Sequence, residues 1–364
     1  MEQTSQREIR AIDPTWTIAE TVARLAKSLM GDGPAITLGP ISVDSVPSRI
    51  ALVVSTSGST GGAKEVGLSA GAVIANAKAT NNFLGAKAGQ IWSLLLPLTH
   101  IAGINVLVRS LELGTIPIDA REVTEKYPYA DFTAIVPTQL YRALNGDAEL
   151  LEHLLSAKSV LVGGAALDNQ LREQALTAGI NVVESYGMTE TCGGCVYNGV
   201  PIGNTEIEIS EDGLIRISTS SLATTYINDP EAWNAKFKDD FFLTSDLGEM
   251  HGDKLVVTGR ADDVIITGGE NISLTQVENI VRETFTGIEC AAFAIPDSQW
   301  GQALHLAIAG GVKPEPSAIN EYLSSRISVA AKVKRFIYVD HLPRTGLDKI
   351  DRRELAKIAA KDGA

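Results

Sequence analysis

Between Ser55 and Lys64 the chain reads Ser-Thr-Ser-Gly-Ser-Thr-Gly-Gly-Ala-Lys. Hydroxyls on Thr56, Ser57, Ser59 and Thr60, backbone freed by Gly58 and Gly61, and the Lys64 ammonium are the groups needed to wrap a polyphosphate. The spacing is not that of a Walker loop, because Ala63 separates Gly62 from Lys64 and Glu65 follows it. The competing reading is a flexible Ser/Gly linker. A second cluster, Ser185-Tyr186-Gly187-Met188-Thr189-Glu190-Thr191, offers a flat aromatic face for a base, a glycine for a tight turn and a carboxylate suited to magnesium on phosphates. Taken alone it reads equally well as a surface turn. Cys192 and Cys195 directly after it form a C-x-x-C pair, open to redox or zinc chemistry. A complete zinc site needs more ligands, and Cys290 and five scattered histidines are what remains.

Arg109 stands in the run Ile104-Asn105-Val106-Leu107-Val108-Arg109-Ser110-Leu111. An arginine in so apolar a helix is costly unless it is paired or reaches solvent. If it faces a pocket, it favours a substrate carrying a second anionic group. Arg142 and Lys158 are weaker candidates for the same task. His100 precedes that helix, and its alternative is a buried structural histidine.

The elements positioning these groups alternate between strand-like and helix-like, the pattern of α/β layers. Ile50 to Ser55 is a short buried strand delivering the Ser/Gly loop, and a helix is expected from Ser69 to Phe83. The runs 91–96, 134–136, 159–162 and 181–184 read as strands of one sheet. After Pro201 the texture changes to hairpins, at 206–218 and 248–258. A domain boundary is expected at Gly259-Arg260-Ala261-Asp262-Asp263, giving domains 1–258 and 264–364. The second should be a small α+β unit with helices at 273–284 and 317–325 and strands near 291–295, 304–309 and 335–339.

The chain has 364 residues and a net charge of −13, so phosphate would repel it as a whole and a nucleic-acid partner is excluded. Lys332 to Lys361 nevertheless carries nine bases against four acids. This basic stretch is a candidate to meet an anion. A polar start, no apolar run near the ~20 residues of a membrane span and an odd cysteine count suggest a cytoplasmic protein.

Taken in order, the two clusters and five further motifs resemble the adenylate-forming superfamily of acyl- and aryl-CoA ligases. The five are Pro97 to Gly103, Gly163 to Leu167, Thr244-Ser245-Asp246, Gly259 to Asp263 with Gly268 to Ile272, and Pro343 to Lys349. The resemblance implies an N-terminal domain of sheets layered with helices, a β-rich subdomain and a mobile C-terminal domain swinging about a hinge at Asp262. It implies that an acid attacks ATP to give an acyl-adenylate, and that coenzyme A then displaces AMP. By the same resemblance, Thr56 to Lys64 hold the β- and γ-phosphates, Glu190 binds Mg²⁺, and Thr189 and Lys349 approach the α-phosphate. Gly163, Gly164, Ala165, Tyr186 and Gly187 line the adenine and acyl site. Asp246 and Arg260 meet the ribose, Gly269 belongs to the thiolation face, and His100 gates the acyl site.

One position departs from the pattern: Asp348 precedes Lys349 where the superfamily usually has glycine. Pro97 to Gly103 and Val136 to Arg142 are similar to the o-succinylbenzoate:CoA ligase family of menaquinone biosynthesis, in its compact actinobacterial form. That branch implies 2-succinylbenzoate as substrate, with Arg109 as the partner of its second carboxylate. Two readings stay beside it: a different acyl-CoA ligase, and an adenylation enzyme loading a carrier protein. Homodimers are expected from enzymes of this class.

Overall fold

A computed structural model describes residues 5–56, 64–285, 287–311, 313–344 and 350–361. By internal packing the chain divides into two compact units. The first comprises Met1–Glu208, Arg216–Leu243 and Met250–Leu255, and the second Ile209–Ile215, Thr244–Glu249 and Val256–Ala364.

In the first unit, a six-stranded sheet has the order Thr225–Tyr226, Lys64–Ser69, Ile50–Thr56, Ala35–Leu38, Gln6–Ala11, Ser45–Pro47. Strand 50–56 runs parallel to 35–38 and antiparallel to 64–69. Thr56 therefore pairs with Lys64 across the Ser/Gly loop. Residues 57–63, including Ser57, Gly58, Ser59, Thr60 and Gly61, lie outside the described residues. A seven-stranded sheet has the order Val200–Pro201, Gly193–Tyr197, Val182–Met188, Ser159–Val162, Phe132–Ile135, Trp92–Leu94, Ile118–Asp119. The four strands expected to share a sheet do so, pairing in parallel. The expected strand at 181–184 is longer, because Ser185–Met188 turns from its parallel neighbour to an antiparallel pairing with Gly193–Tyr197.

Helix α1 (Ile18–Met30) starts with a capping box in which Thr17 accepts from Glu20 N and Glu20 returns a bond to Thr17 N. Helix α2 (Ala70–Phe83) is capped by Ser69, and helix α3 (Ile101–Glu112) follows His100. The two sheets share a core through α2 and α3. Leu52, Val54, Val66 and Leu68 of the first sheet meet Val73, Ala77, Ile104 and Leu107, and beyond them Phe132, Ala134, Leu161 and Val183. Ile135, Val160, Val162 and Val182 face the opposite way, toward Leu140, Leu150, Leu154 and Ala175. This alternation along parallel strands is why both faces read as apolar in sequence.

The third sheet has the order Glu206–Ile209, Leu214–Ser218, Phe241–His251, Phe237–Lys238, with Lys254–Arg260 also paired to Phe241–His251. The hairpins expected at 206–218 and 248–258 are thus present. In the second unit Val264–Thr267, Glu270–Ser273, Glu289–Asp297, Gly301–Ala309 and Arg335–Val339 form a sheet packed with the helices Leu274–Thr284 and Pro316–Arg326. Among the described residues no helix is long and apolar enough to cross a membrane.

Gly103 brings α3 against the chain that feeds it. A Cβ added there would stand 2.3 Å from Pro97 O and 3.1 Å from Leu96 O, both backbone atoms. Gly103→Ala is therefore expected to lower stability by about 1–3 kcal/mol through overpacking, read as a fall in the urea midpoint with an unchanged slope.

Candidate functional site

The parallel strands 159–162 and 182–188 are neighbours, so the segments leaving their carboxyl ends lie side by side, the usual place for a ligand in an open α/β sheet. Gly163 follows the first strand and donates its N–H to Ile135 O at 3.2 Å. A Cβ on Gly163 would stand 3.0 Å from Ser185 O. Gly163 thus abuts Ser185, while Gly164, in the left-handed region at φ 84°, lies against Val136. Gly164 and Ala165 are exposed and Tyr186 is half-buried.

Gly187 sits where strands 182–188 and 193–197 approach most closely. A Cβ there would lie 2.1 Å from Gly193 O, so no other residue fits this register. Thr189–Thr191 forms one short helical turn directly after it. Thr191, fully buried, holds that turn: its Oγ1 accepts from Met188 N at 2.9 Å and donates to Gly193 O at 2.7 Å. Thr189 and Glu190 are left half-buried at its edge.

Lys64 and Glu190, 126 positions apart in sequence, meet through Tyr226. Lys64 Nζ donates to the Tyr226 hydroxyl at 3.4 Å, and that hydroxyl donates to Glu190 Oε1 at 2.8 Å. Sequence reasoning overlooked Tyr226, since one tyrosine in a short strand carries no spacing signal. Burial raises its hydroxyl's pKa, and the Glu190 charge adds to this, keeping it a neutral donor. Glu65 turns to the other face of the strand and accepts from Ser42 N and Ser42 Oγ, so it leaves Lys64 uncompensated from that side. Among the described residues no cluster of three acids, histidines or cysteines forms a metal cage. A single carboxylate beside an ammonium fits magnesium that arrives on a polyphosphate and keeps most of its waters.

Arg109 is 4% exposed in α3. Its Nη2 donates to the Tyr197 hydroxyl at 3.4 Å, and its guanidinium carbon lies 5.2 Å from the Trp92 ring centre. Tyr197 is held in turn by Thr80 of α2, at 2.8 Å. Arg109 Nε is buried with no hydrogen-bond partner among the described residues, and no carboxylate there pairs with it. Burial lowers its pKa. The weaker candidates differ, since Arg142 pairs with Asp147 and Lys158 with Asp131, each at 2.9 Å. His100 is half-buried, and its carbonyl accepts the first α3 bonds, from Gly103 and Ile104.

Cys192 and Cys195 are both buried and in no disulfide, and burial pushes the Cys192 thiol well above the usual range. Such a thiol supplies little thiolate for redox exchange.

In the second unit Asp246 is buried, and its Oδ1 accepts from Arg260 Nη1 at 2.7 Å. Arg260 is also clamped by both oxygens of Asp262, each at 2.8 Å. These carboxylates hold the guanidinium charged, with its pKa raised. Gly268 and Gly269 form the two-residue turn of a hairpin, with φ of 60° and 84°. Lys349 and Asp348 lie outside the described residues; the strand-like bridge Arg344 to Ile350 and the bond from Asp351 N to Pro343 O close the ends of their segment.

The fold and these groups define an adenylate-forming enzyme. Residues 4–218 match the family model described as "AMP-binding enzyme", and the chain belongs to that family. It is 34% identical over 362 residues to a probable 2-succinylbenzoate–CoA ligase of Mycobacterium tuberculosis, covering 92% of this chain and 93% of the relative. It is 28% identical to the 2-succinylbenzoate–CoA ligase of Lactococcus lactis, over 86% of this chain and 72% of the relative. Among solved structures, o-succinylbenzoate CoA synthetase from Bacillus subtilis, in complex with its acyl-adenylate intermediate, superposes with a TM-score of 0.74. That match is at 23% identity and covers 95% of this chain and 82% of the other.

Thr191→Val keeps the shape but leaves Met188 N and Gly193 O unpaired. It is expected to cost about 1–3 kcal/mol, measured by urea unfolding, and to weaken ATP binding measured by calorimetry.

Proposed function

We propose that this chain is an AMP-forming 2-succinylbenzoate–CoA ligase. The observation that carries the choice of acid is Arg109: among the described residues its buried guanidinium faces a phenol and an indole and has no counter-charge. A diacid supplies one. While one carboxylate reacts, the other pairs with Arg109, gaining the strength of a charge-assisted bond in a dry site. The 34% identity to the mycobacterial relative across nearly the whole chain supports the same substrate.

In the first step an oxygen of the succinyl carboxylate attacks the α-phosphorus of ATP. The bond from that phosphorus to the bridging oxygen breaks, and pyrophosphate leaves with its electron pair. Thr56 to Lys64 hold the β- and γ-phosphates, with Lys64 as the fixed cation. Glu190 is the ligand for Mg²⁺, which when bound neutralises phosphate charge. Thr189 and Lys349 meet the α-phosphate, where a fixed ammonium offsets the gathering charge. Gly163, Gly164, Ala165, Tyr186 and Gly187 line the base and the acyl group, and Asp246 accepts from the ribose with Arg260 beside it. In the second step the sulfur of coenzyme A attacks the acyl carbonyl, AMP leaves, and the thiol proton passes to solvent. His100 gates the acyl end, and Gly269 contributes to the thiol-binding face. Residues 259–263, with Asp262 as pivot, form the hinge between domains 1–258 and 264–364. Three buried cysteines outside any disulfide suit a cytoplasmic enzyme.

Arg109→Ala is expected to raise the KM for 2-succinylbenzoate at least 30-fold, the equivalent of about 2 kcal/mol, with ATP affinity by calorimetry within twofold of wild type. An unchanged KM with intact ATP binding would remove Arg109 from the acyl site.

A further inference from the structure

Tyr226 occupies a crossing point that the reaction scheme leaves unused. Its strand, Thr225–Tyr226, pairs with Lys64–Ser69 through Tyr226 to Val66 and Thr225 to Gly67. Just upstream, Ala223 N donates to Glu190 O at 2.7 Å, and just downstream Ile227 N donates to Glu65 O at 2.7 Å. One short segment is thus fastened by backbone bonds both to the strand carrying Lys64 and to the turn carrying Glu190. The Tyr226 side chain repeats the link: its ring lies 4.8 Å from Lys64 Nζ and its hydroxyl bonds to Lys64 and Glu190. The ring is packed edge-on against Trp233 at 5.1 Å and is 1% exposed, so it has no room to swing aside.

The geometry is that of a neutral spacer between opposite charges. An ammonium and a carboxylate this close attract strongly at a half-buried site. Joined directly, each would occupy the other's bonding capacity. With a phenol between them, the cation keeps donors for phosphate oxygens and the carboxylate keeps an oxygen for a metal. We propose that Tyr226 is a positioning residue for magnesium–ATP, holding Lys64 and Glu190 apart and oriented so that one meets the polyphosphate and the other the divalent cation. This rests on the reading of Lys64 and Glu190 given above, not on the identity of the acid. It follows the general rule that a metal ligand is oriented by a partner behind it.

Tyr226→Phe keeps the ring against Trp233 and removes only the hydroxyl. ATP binding to the full chain is measured by calorimetry, once with excess magnesium and once in EDTA, with thermal unfolding as the check on the fold. The expected result is a loss of at least tenfold in affinity with magnesium, a change of less than threefold in EDTA, and an unfolding midpoint near that of wild type. Adding Glu190→Gln to Tyr226→Phe should weaken magnesium–ATP binding no further than Glu190→Gln alone, because no carboxylate remains to be held. Should Tyr226→Phe not fold, 3-fluorotyrosine at position 226 keeps ring and hydroxyl while strengthening the donor, and a shifted magnesium dependence is the expected result. An unchanged magnesium increment in either substituted protein, or additive losses in the double variant, overturns the proposal. If wild type itself binds ATP no better with magnesium than without, the metal reading of Glu190 fails and the proposal falls with it. If wild type shows the increment and Tyr226→Phe retains it, the proposal alone fails.

Discussion

The buried charge of Arg109 constrains what surrounds it. An ionised guanidinium in an apolar layer is tolerated when polar groups and π-faces take part of its field. Here Trp92 lies beside it, Tyr197 accepts from it, and Thr80 fixes Tyr197 from α2. Those partners come from a strand of the seven-stranded sheet, its antiparallel extension and the helix behind them. The neighbouring polar bonds follow the same seam: Asn81 donates to Arg109 O, Asn105 to Cys192 O, and Asn76 to Thr191 O and Gly194 O. The strand pair that carries Gly187, with the turn that carries Thr189 and Glu190, is therefore tied to α2 and to α3, which carries Arg109. Arg109 and the residues proposed for the β- and γ-phosphates and the metal, Lys64 and Glu190, thus belong to one unit.

That arrangement places adaptable chemistry on rigid elements. Thr56 and Lys64, proposed for the phosphates, sit at paired ends of two strands, and Glu190 sits on a turn pinned by Thr191. Glycine appears where backbone must approach backbone, at Gly103 and Gly187, and side chains of any size are excluded there. In the second unit a different device operates. Arg260 is shared by Asp246 and Asp262, so the residue proposed for the ribose is linked to the residue proposed as the pivot. A change at one carboxylate is felt by the other through a common guanidinium.

Much of the scaffold was legible because local pattern and tertiary environment agreed. Ser159–Val162 and Arg335–Val339 are short apolar or β-branched runs bounded by turn residues, and they form strands with those limits. Strand 182–188 was underestimated, since Ser185–Met188 loses its apolar character where it turns from the parallel sheet to a hairpin. The candidate site was legible where a motif is contiguous and silent where it is assembled. Tyr226 lies 162 residues from Lys64 and 36 from Glu190, and Tyr197 lies 88 from Arg109. No periodicity reports such meetings. Arg109 was the exception, because an arginine directly after the apolar run Val106-Leu107-Val108 conflicts with its surroundings, and the conflict itself is visible in sequence.

A second carboxylate answering Arg109 is what selects the acid. The direct measurement is product analysis by the full chain with ATP, magnesium and coenzyme A, comparing 2-succinylbenzoate with its analogue lacking the ring carboxylate. The diacid is expected to give AMP, pyrophosphate and an acyl thioester, with kcat/KM for the monoacid lower by at least about two orders of magnitude. Equal turnover of the two acids would contradict it.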